Sequence, residues 1–221
     1  VHLYKNKFRG NESMNQLKIL LITVLLLTNC SHAATYRYHS NSDIIGKIQY
    51  HRISGGDSWE SIAYYYDVGY LELRRANPQI TNIKKSKGKS LLIPTEHILP
   101  EQALRKGIVV NLSEKRLYYF VDDRTVVTYP VAVGRSGWRS PSFSGHVTRK
   151  KIGPTWRVPK SIAQYHYNKY GEHLPEAVGP GPDNPLGNYA VYTSKARILI
   201  HGTNNELLIG KEVSSGCIRM F

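Results

Sequence analysis

The chain is poor in cysteine, with only two, Cys30 and Cys217, among its 221 residues. Two cysteines exclude a disulfide-stapled scaffold and any zinc site built from several thiolates. Long apolar runs are also scarce, and a mean hydropathy of −0.39 excludes a protein that crosses the membrane many times. Acidic residues are the minority, with sixteen Asp and Glu against thirty Lys and Arg, which gives a net charge of +14. This charge favours an acidic partner over a basic one.

The residues that are abundant favour a β-rich body with many loops. Sixteen Tyr and eleven Pro suit strands and turns better than a helical bundle. An apolar content of 41% is too high for a mostly disordered chain. At about 100–200 residues per domain, the length allows one or two domains.

Residues 14–34 have the organisation of a secretory leader. Lys18 precedes an apolar run from Ile19 to Leu27, and Ser31-His32-Ala33 places small residues where a signal peptidase reads the chain. The apolar run is too short to span a bilayer comfortably. We therefore predict that residues 1–33 are an upstream extension and a signal peptide, which is cleaved near Ala33.

A lipoprotein signal that uses Cys30 is the alternative interpretation of this leader. Leu27-Thr28-Asn29-Cys30 resembles the box of such signals, although Asn29 is larger than the residue usually found before the modified cysteine. Cleavage near Ala33 predicts a protein of the periplasm or cell envelope with no membrane span left after processing. The leader holds four basic residues and one acidic residue, so its removal lowers the net charge from +14 to +11.

A small α+β module with the order strand, helix, helix, strand is predicted over residues 48–95. Tyr50–Ile53 alternates polar and apolar side chains, as a short strand does. Asp57 or Ser58 follows a glycine turn and can cap the first helix. Asn77-Pro78 ends the second helix, and a proline-terminated strand closes the module.

Short motifs spread in order through this module resemble those of a LysM domain. They are Gly56-Asp57-Ser58, Ile62-Ala63, Leu73, Ala76-Asn77-Pro78, Gly88 and Leu92-Ile93-Pro94. The resemblance implies binding to the N-acetylglucosamine chains of peptidoglycan, with contacts from Gly56, Asp57, Ser58, Asn77 and Pro78. The alternative is a spacer in which Trp59 and the tyrosines are merely packed.

After the module, residues 96–106 are interpreted as a linker of mixed charge, and a mostly β, sandwich-like domain follows over residues 107–221. Short β-branched or aromatic runs alternate there with turns, which predicts hairpins. The predicted strands are Ile108–Leu112, Arg116–Val121, Thr125–Val133, His146–Lys150, Thr155–Val158, Tyr189–Tyr192 and Ile198–Ile200. One helix is predicted over Lys160–Tyr167, whereas Gly179–Gly187 is too rich in glycine and proline for a helix or a central strand.

Two segments near the end carry groups that suit acyl transfer: His201, at the end of an apolar strand, and the turn that contains Cys217. A cysteine attacks as its thiolate, and a histidine about 3 Å away can take the thiol proton and later return one to a leaving amine. Gly216 permits a tight turn that presents the N–H groups of Ser215, Gly216 and Cys217 to one oxygen, as an oxyanion hole does. The alternative is an inert thiol, because free cysteines usually pack as small apolar residues.

The longer pattern around these residues resembles the catalytic domain of YkuD-type L,D-transpeptidases. It comprises His201-Gly202-Thr203-Asn204, Ile209-Gly210 and Ser214-Ser215-Gly216-Cys217-Ile218-Arg219, with Asn184–Gly187 upstream. Many members of the family have His where Ser215 stands. The resemblance implies that Cys217 attacks a tetrapeptide stem of peptidoglycan, releases D-Ala and forms a thioester that an amine resolves.

The same resemblance implies a role for each residue of the site. His201 is the acid and base, and Ser214 orients it. Substrate contacts are implied for Gly202, Ser215, Gly216 and Arg219, with a stem carboxylate as the partner of Arg219. Related domains continue with a helix and a strand beyond the position of Phe221, so the catalytic domain is expected to be C-terminally incomplete.

Several functional alternatives remain open at this point. The acceptor of the thioester is diaminopimelate of another stem, a lysine of an outer-membrane lipoprotein, or water, as in an L,D-carboxypeptidase. A non-catalytic wall-binding protein is a further possibility. No metal or cofactor is expected, and nucleic acid is not an expected partner, because the Lys and Arg residues are spread along the chain.

Overall fold

The computed structural model describes residues 34–39 and 41–221. Its strands are β1 (Ala34–Arg37), β2 (Ile44–Gly46), β3 (Gln49–Arg52), β4 (Ser90–Ile93), β5 (Glu96–Ile98), β6 (Gly107–Asn111), β7 (Arg116–Asp122), β8 (Thr125–Pro130), β9 (Val133–Gly134), β10 (Val147–Ile152), β11 (Trp156–Arg157), β12 (Ala177–Val178), β13 (Tyr189–Thr193), β14 (Leu199–His201), β15 (Glu212–Ser214) and β16 (Ile218–Arg219). Its helices are α1 (Trp59–Tyr65), α2 (Tyr70–Ala76) and α3 (Lys160–Tyr170). Within this part of the chain, no helix combines the length and the apolar character needed to cross a membrane. The predictions of a signal peptide and of lipidation at Cys30 concern residues outside the described ranges.

The module predicted over residues 48–95 has the expected order of elements. Strands β3 and β4 pair antiparallel, with α1 and α2 between them in the chain. Ser58 begins α1 with a capping box, in which its side chain accepts the Ser61 N–H and the Ser61 hydroxyl accepts the Ser58 N–H, each at 2.9 Å. Trp59 is buried in the core of the module, so its side chain is packed. The other core residues are Ile53, Ile62, Ala63, Val68, Leu73, Ile80, Ile83, Leu91 and Ile93.

The rest of the chain is mostly β, as predicted, and contains two four-stranded sheets. The first has the order β1-β8-β7-β6, and the second has the order β10-β13-β14-β16. All neighbours are antiparallel except β14 and β16, which are parallel. Leu117 of the first sheet packs in one apolar cluster with Ile200 and Ile218 of the second. The two sheets therefore share a core, and β14 and β16 lie against it.

Several elements differ from the predicted pattern. The run Thr125–Val133 is two strands, because Pro130, which has no N–H to donate, ends β8 before β9 begins. Part of the segment interpreted as a linker forms β5, which pairs with β2 and places His97 opposite Ile45. Helix α3 extends three residues beyond the predicted Tyr167.

Polar contacts fasten the module to the first sheet. Arg116 on β7 is 1% exposed, and its guanidinium donates to Glu72 Oε2 and to the Asp67 carbonyl at 3.2 Å each. The same side chain donates to Thr128 Oγ1 at 3.0 Å. At the other side of the contact, Lys211 Nζ lies 3.8 Å from the Glu60 carboxylate. The buried Arg116 guanidinium thus bonds to groups of both the module and the first sheet. Because its donors have fixed directions, these bonds require a defined geometry of the contact.

Candidate active site

His201 is the last residue of β14, and Cys217 directly precedes β16, the neighbouring strand of the second sheet. In the parallel pair of β14 and β16, Ile200 is opposite Ile218 and His201 is opposite Arg219. Ile200 and Ile218 point into the shared core, so His201 and Arg219 point to the other face. Cys217 directly precedes Ile218, and its thiol contacts the backbone of Leu199, two residues before His201 on β14. The strand register therefore puts the two residues near each other along the β14–β16 pair.

The ring of His201 is buried and has a defined tautomer. Its Nδ1 donates to the carbonyl oxygen of Gly202 at 2.6 Å, and because a carbonyl only accepts, the neutral ring carries its proton on Nδ1. The pKa of His201 is lowered to about 4, chiefly by burial and also by the Arg219 charge, against the opposing effects of backbone contacts with Gly202 and Leu186. At neutral pH the ring is therefore uncharged, and Nε2 has a lone pair that can accept a proton.

The thiol of Cys217 is protonated in this state. Its Sγ donates to the carbonyl oxygen of Arg197 at 3.4 Å. Burial raises the pKa of the thiol, while a backbone contact from Leu199 and the charge of Arg219 oppose that rise. The resting site therefore holds a neutral thiol and a neutral imidazole rather than a thiolate–imidazolium pair. To react, the thiol has to turn from the Arg197 carbonyl toward the imidazole.

Ser214 shapes the turn that carries Cys217. It is 1% exposed, and its hydroxyl donates to the Cys217 carbonyl at 2.6 Å and accepts the Gly216 N–H at 3.1 Å. Gly216 has φ +107°, a backbone conformation that side-chain-bearing residues rarely adopt. These contacts differ from expectation in two ways. The group that orients His201 is the Gly202 carbonyl and not Ser214, and the Gly216 N–H is already used, so an oxyanion hole at this turn has only Ser215 and Cys217 as candidate donors.

Two cations flank this turn. The Nε of Arg219 is buried and has no hydrogen-bond partner within residues 34–39 and 41–221. Arg135 Nη1 donates to Ser215 Oγ at 3.2 Å, and its guanidinium lies 4.5 Å from the ring centre of Tyr165 and 5.2 Å from that of Trp138. A buried guanidinium nitrogen without a partner suits a carboxylate ligand. Arg135 is not among the residues predicted for the site, and its only sequence signal is that it directly follows the strand Val133–Gly134.

Loop 179–187 packs against the backbone that follows His201 and is held in place by hydrogen bonds from Asn184. Asn184 is fully buried and donates to the carbonyls of Pro154 at 2.7 Å and Gly179 at 2.9 Å. Gly187 has φ +63°, and a Cβ there would lie 2.6 Å from the Thr203 nitrogen. Only glycine permits this approach, so the loop packs against the segment that follows His201. As predicted, the loop contains neither helix nor strand.

In the module, the residues expected to bind glycan divide into two groups. The Asn77 amide is 1% exposed and is bonded to the backbone of Leu73 and Leu92, so its side chain is structural and cannot reach a ligand. The Asp57 carboxylate accepts from His51 Nε2 and from the Ser54 N–H at 2.7 Å each, and Ser58 is the helix cap. The remaining two, Gly56 and Pro78, are exposed.

Known proteins that are similar to this chain are described as L,D-transpeptidases. Residues 105–221 match the family model described as the L,D-transpeptidase catalytic domain, YkuD. The chain is 38% identical over 187 residues to the "Probable L,D-transpeptidase YcfS" of Escherichia coli, covering 82% of this chain and 58% of that protein. It is 42% identical over 163 residues to the "Probable L,D-transpeptidase ErfK/SrfK" of Escherichia coli, covering 73% and 52%. Against the "Probable L,D-transpeptidase YbiS" of the same species the identity is 37% over 198 residues, covering 86% and 64%. The chain thus spans between half and two thirds of the length of these relatives.

Proposed function

The chain belongs to the YkuD family of L,D-transpeptidase catalytic domains, and from this premise we propose that it is an exported enzyme that remodels peptidoglycan through a thioester on Cys217. The observation that carries the proposal is the contact of His201 Nδ1 with the Gly202 carbonyl. This contact leaves Nε2 as the basic nitrogen of the ring, and β14, which ends at His201, pairs with β16, which Cys217 directly precedes. A buried base and a partly buried thiol on adjacent segments are the minimum groups that nucleophilic acyl transfer requires.

The first half of the reaction forms the thioester. His201 Nε2 takes the proton of the Cys217 thiol as sulfur attacks the carbonyl carbon of the L,D peptide bond in a tetrapeptide stem. The carbon–nitrogen bond then breaks, and the imidazolium returns its proton to the leaving D-Ala amine. The second half reverses these roles, because an acceptor amine loses a proton to Nε2 and displaces sulfur.

The neutral resting pair determines how the proton moves. With the pKa of His201 lowered to about 4 and the pKa of the thiol raised, a free thiolate is a minor species at neutral pH. Proton transfer is therefore coupled to the approach of the substrate. Arg219 stabilises negative charge on sulfur, and with Arg135 it provides a cationic surface for a carboxylate of the stem.

The module supplies the second part of the proposal, which is attachment to glycan strands. Its order of elements supports the resemblance to LysM, and exposed Gly56 and Pro78 are the candidate contacts. The side chain of Asn77 is withdrawn from that role because it is buried and bonded internally. Export by the leader that ends near Ala33 would bring both parts to the periplasm, where peptidoglycan lies.

Product analysis with a tetrapeptide stem tests the proposed reaction and separates the acceptors. We expect a cross-linked dimer when a stem with a free diaminopimelate amine is present, and a lysine conjugate when a lipoprotein peptide is the better acceptor. A tripeptide as the only product would identify a carboxypeptidase that uses water. Retention on peptidoglycan with no turnover under any of these conditions would leave only the wall-binding alternative.

A further inference from the structure

Asp67, in the turn between α1 and α2, has a carboxylate that is only half satisfied. Its Oδ2 accepts the backbone N–H of Ala34 at 3.0 Å. Its Oδ1 is buried and has no hydrogen-bond partner among the residues that the structure describes. A buried carboxylate oxygen without a donor is costly, so this position calls for a further donor or a cation.

The cation nearest to this carboxylate is already engaged. The Arg116 guanidinium donates to the Asp67 carbonyl and to the Glu72 carboxylate, so its charge is balanced by Glu72. The other titratable groups around Asp67 bring no positive charge: Tyr36 and Tyr129 are phenols, and burial lowers the pKa of His97 to about 3. Burial also raises the pKa of Asp67 itself to about 7. When Asp67 is ionised, Asp67, Glu72 and Arg116 together carry two negative charges and one positive charge. One negative charge in this cluster is therefore unbalanced.

Ala34 is the residue that would supply the missing charge. The small residues Ser31 and Ala33 predict cleavage after Ala33, which makes Ala34 the first residue of the processed chain. In an uncleaved chain its nitrogen is an amide with one proton and no charge. After cleavage the same nitrogen is an α-ammonium with three protons. Strand β1 holds it in place, because Ala34 pairs with Thr128 on β8.

We propose that Asp67 is a binding site for the α-ammonium that signal peptidase creates at Ala34. Water adds across the Ala33–Ala34 peptide bond, so that Ala33 leaves with a carboxylate and Ala34 keeps a protonated amine. That amine pairs with the Asp67 carboxylate and balances the charge of the cluster formed by Asp67, Glu72 and Arg116. The pair joins β1 to the module, and the contact between module and sheets is complete only in the processed protein. The inference rests on the export in the proposed function, but not on the chemistry of Cys217.

Thermal unfolding of chains that differ by one residue tests this pair. We compare the chain that begins at Ala34 with the chain that retains Ala33, each also as Asp67→Asn and, as an exposed matched control, Asp123→Asn. We expect retention of Ala33 to lower the unfolding midpoint by about 5 °C in the wild-type and Asp123→Asn backgrounds. In the Asp67→Asn background the two chains should unfold at the same temperature. An equal loss with and without Asp67, or no loss at all, would overturn the proposal.

A second measurement does not depend on the stability of the Asp67→Asn variant. At neutral pH an amine-acylating reagent should modify the Ala34 amine of the wild-type chain about tenfold more slowly than a free α-amine, because the paired amine holds its proton. An unprotected amine would contradict the proposal, as would an exported protein that begins at another residue or with lipidated Cys30. Failure of the proposed enzyme activity is distinguishable, because it appears in the Cys217 assay and leaves both measurements unchanged.

Discussion

The imidazole of His201 is oriented by the main-chain carbonyl of the next residue, Gly202, over a distance of 2.6 Å. A backbone acceptor fixes the tautomer without any third side chain. The base of the site therefore depends on the course of the chain after β14, and loop 179–187 packs against that segment through Gly187. This relationship gives His201 and Ser214 separate roles that mutation can distinguish.

Replacement of His201 should remove general base catalysis. His201→Ala is expected to slow formation of the acyl-enzyme by about 10³-fold, because a positioned base contributes on the order of 10²–10⁴. The rate is measured by intact mass after mixing with a tetrapeptide stem. His173→Ala, at an exposed position, is the control and should react at the wild-type rate. Wild-type acylation in His201→Ala would contradict its assignment as the base.

Replacement of Ser214 should act through the cysteine turn. Ser214→Ala leaves the Cys217 carbonyl and the Gly216 N–H without their partner, and we expect a loss of about 1–3 kcal/mol in unfolding free energy. Acylation should slow while the pH dependence of the rate keeps its shape, since the base is intact. Ser142→Ala, at an exposed position, should change neither quantity. A shifted pH profile in Ser214→Ala would instead link Ser214 to His201.

The raised pKa of the Cys217 thiol predicts how the rate of its alkylation depends on pH. Alkylation of Cys217 by iodoacetamide should increase steadily between about pH 7 and pH 10, because the thiolate fraction is still growing over that range. Arg219→Met should shift the rise to higher pH, since the charge of Arg219 lowers the pKa of the thiol. Arg157→Met, at an exposed position, is the control. A rate that is already level at neutral pH would show a preformed thiolate and contradict the neutral resting pair.

Buried His97 and His201 should make the fold sensitive to acid. Burial lowers their pKa values from 6.5 to about 3 and about 4. The unfolded chain takes up these protons below pH 6.5 while the folded chain does not, so their contribution is complete above pH 6.5 and is lost as pH falls toward 4. In a chain whose Ala34 nitrogen is an amide, burial raises the pKa of Asp67 to about 7, and Asp67 then acts in the opposite direction and offsets part of the loss.

The test of this acid sensitivity is the unfolding midpoint at about pH 7 and at about pH 5. His97→Gln should lose less stability between the two values than the wild type, whereas His39→Gln, at an exposed position, should behave as the wild type does. An unchanged loss in His97→Gln would show that His97 does not contribute.

In the module, replacement of Asn77 should lower stability, whereas replacement of Pro78 should weaken retention on peptidoglycan. Asn77→Ala breaks the hydrogen bonds to Leu73 and Leu92 and should cost about 2 kcal/mol in urea unfolding. Pro78→Ala should leave stability nearly unchanged and weaken retention on peptidoglycan, because Pro78 is exposed. Equal retention of Pro78→Ala and the wild type would exclude Pro78 from the glycan contact.

The regular parts of the fold were predictable because their side chains repeat with the period of a strand or a helix. The strands that contain Tyr118 and Val126 are long enough to show the strand period, and the two helices of the module are long enough to show the helix period. Strands such as β5 and β16 have two or three residues, and their formation depends on partners distant in the chain. The break at Pro130 could have been predicted from the missing N–H of proline.

The site was predictable in its reactive groups and not in its supporting contacts. His201 and Cys217 lie in the sequence motifs that resemble those of the YkuD family. The orienting group of His201 is a backbone carbonyl, which no residue type reveals, and the partner of Ser214 depends on how the turn at Gly216 closes. Arg135 directly follows β9, far from Ser215 in the sequence, and the pairing of β9 with β15 brings it to Ser215.

The central claim is that the Cys217 sulfur becomes acylated by a stem peptide. Intact-mass measurement of the chain after incubation with a tetrapeptide stem, together with detection of released D-Ala, tests it most directly. We expect an adduct equal to the stem minus D-Ala on the wild-type chain, carried by the peptide that contains Cys217, and none on Cys217→Ala. A folded wild-type chain that gains no mass, or D-Ala release that persists in Cys217→Ala, would contradict the account.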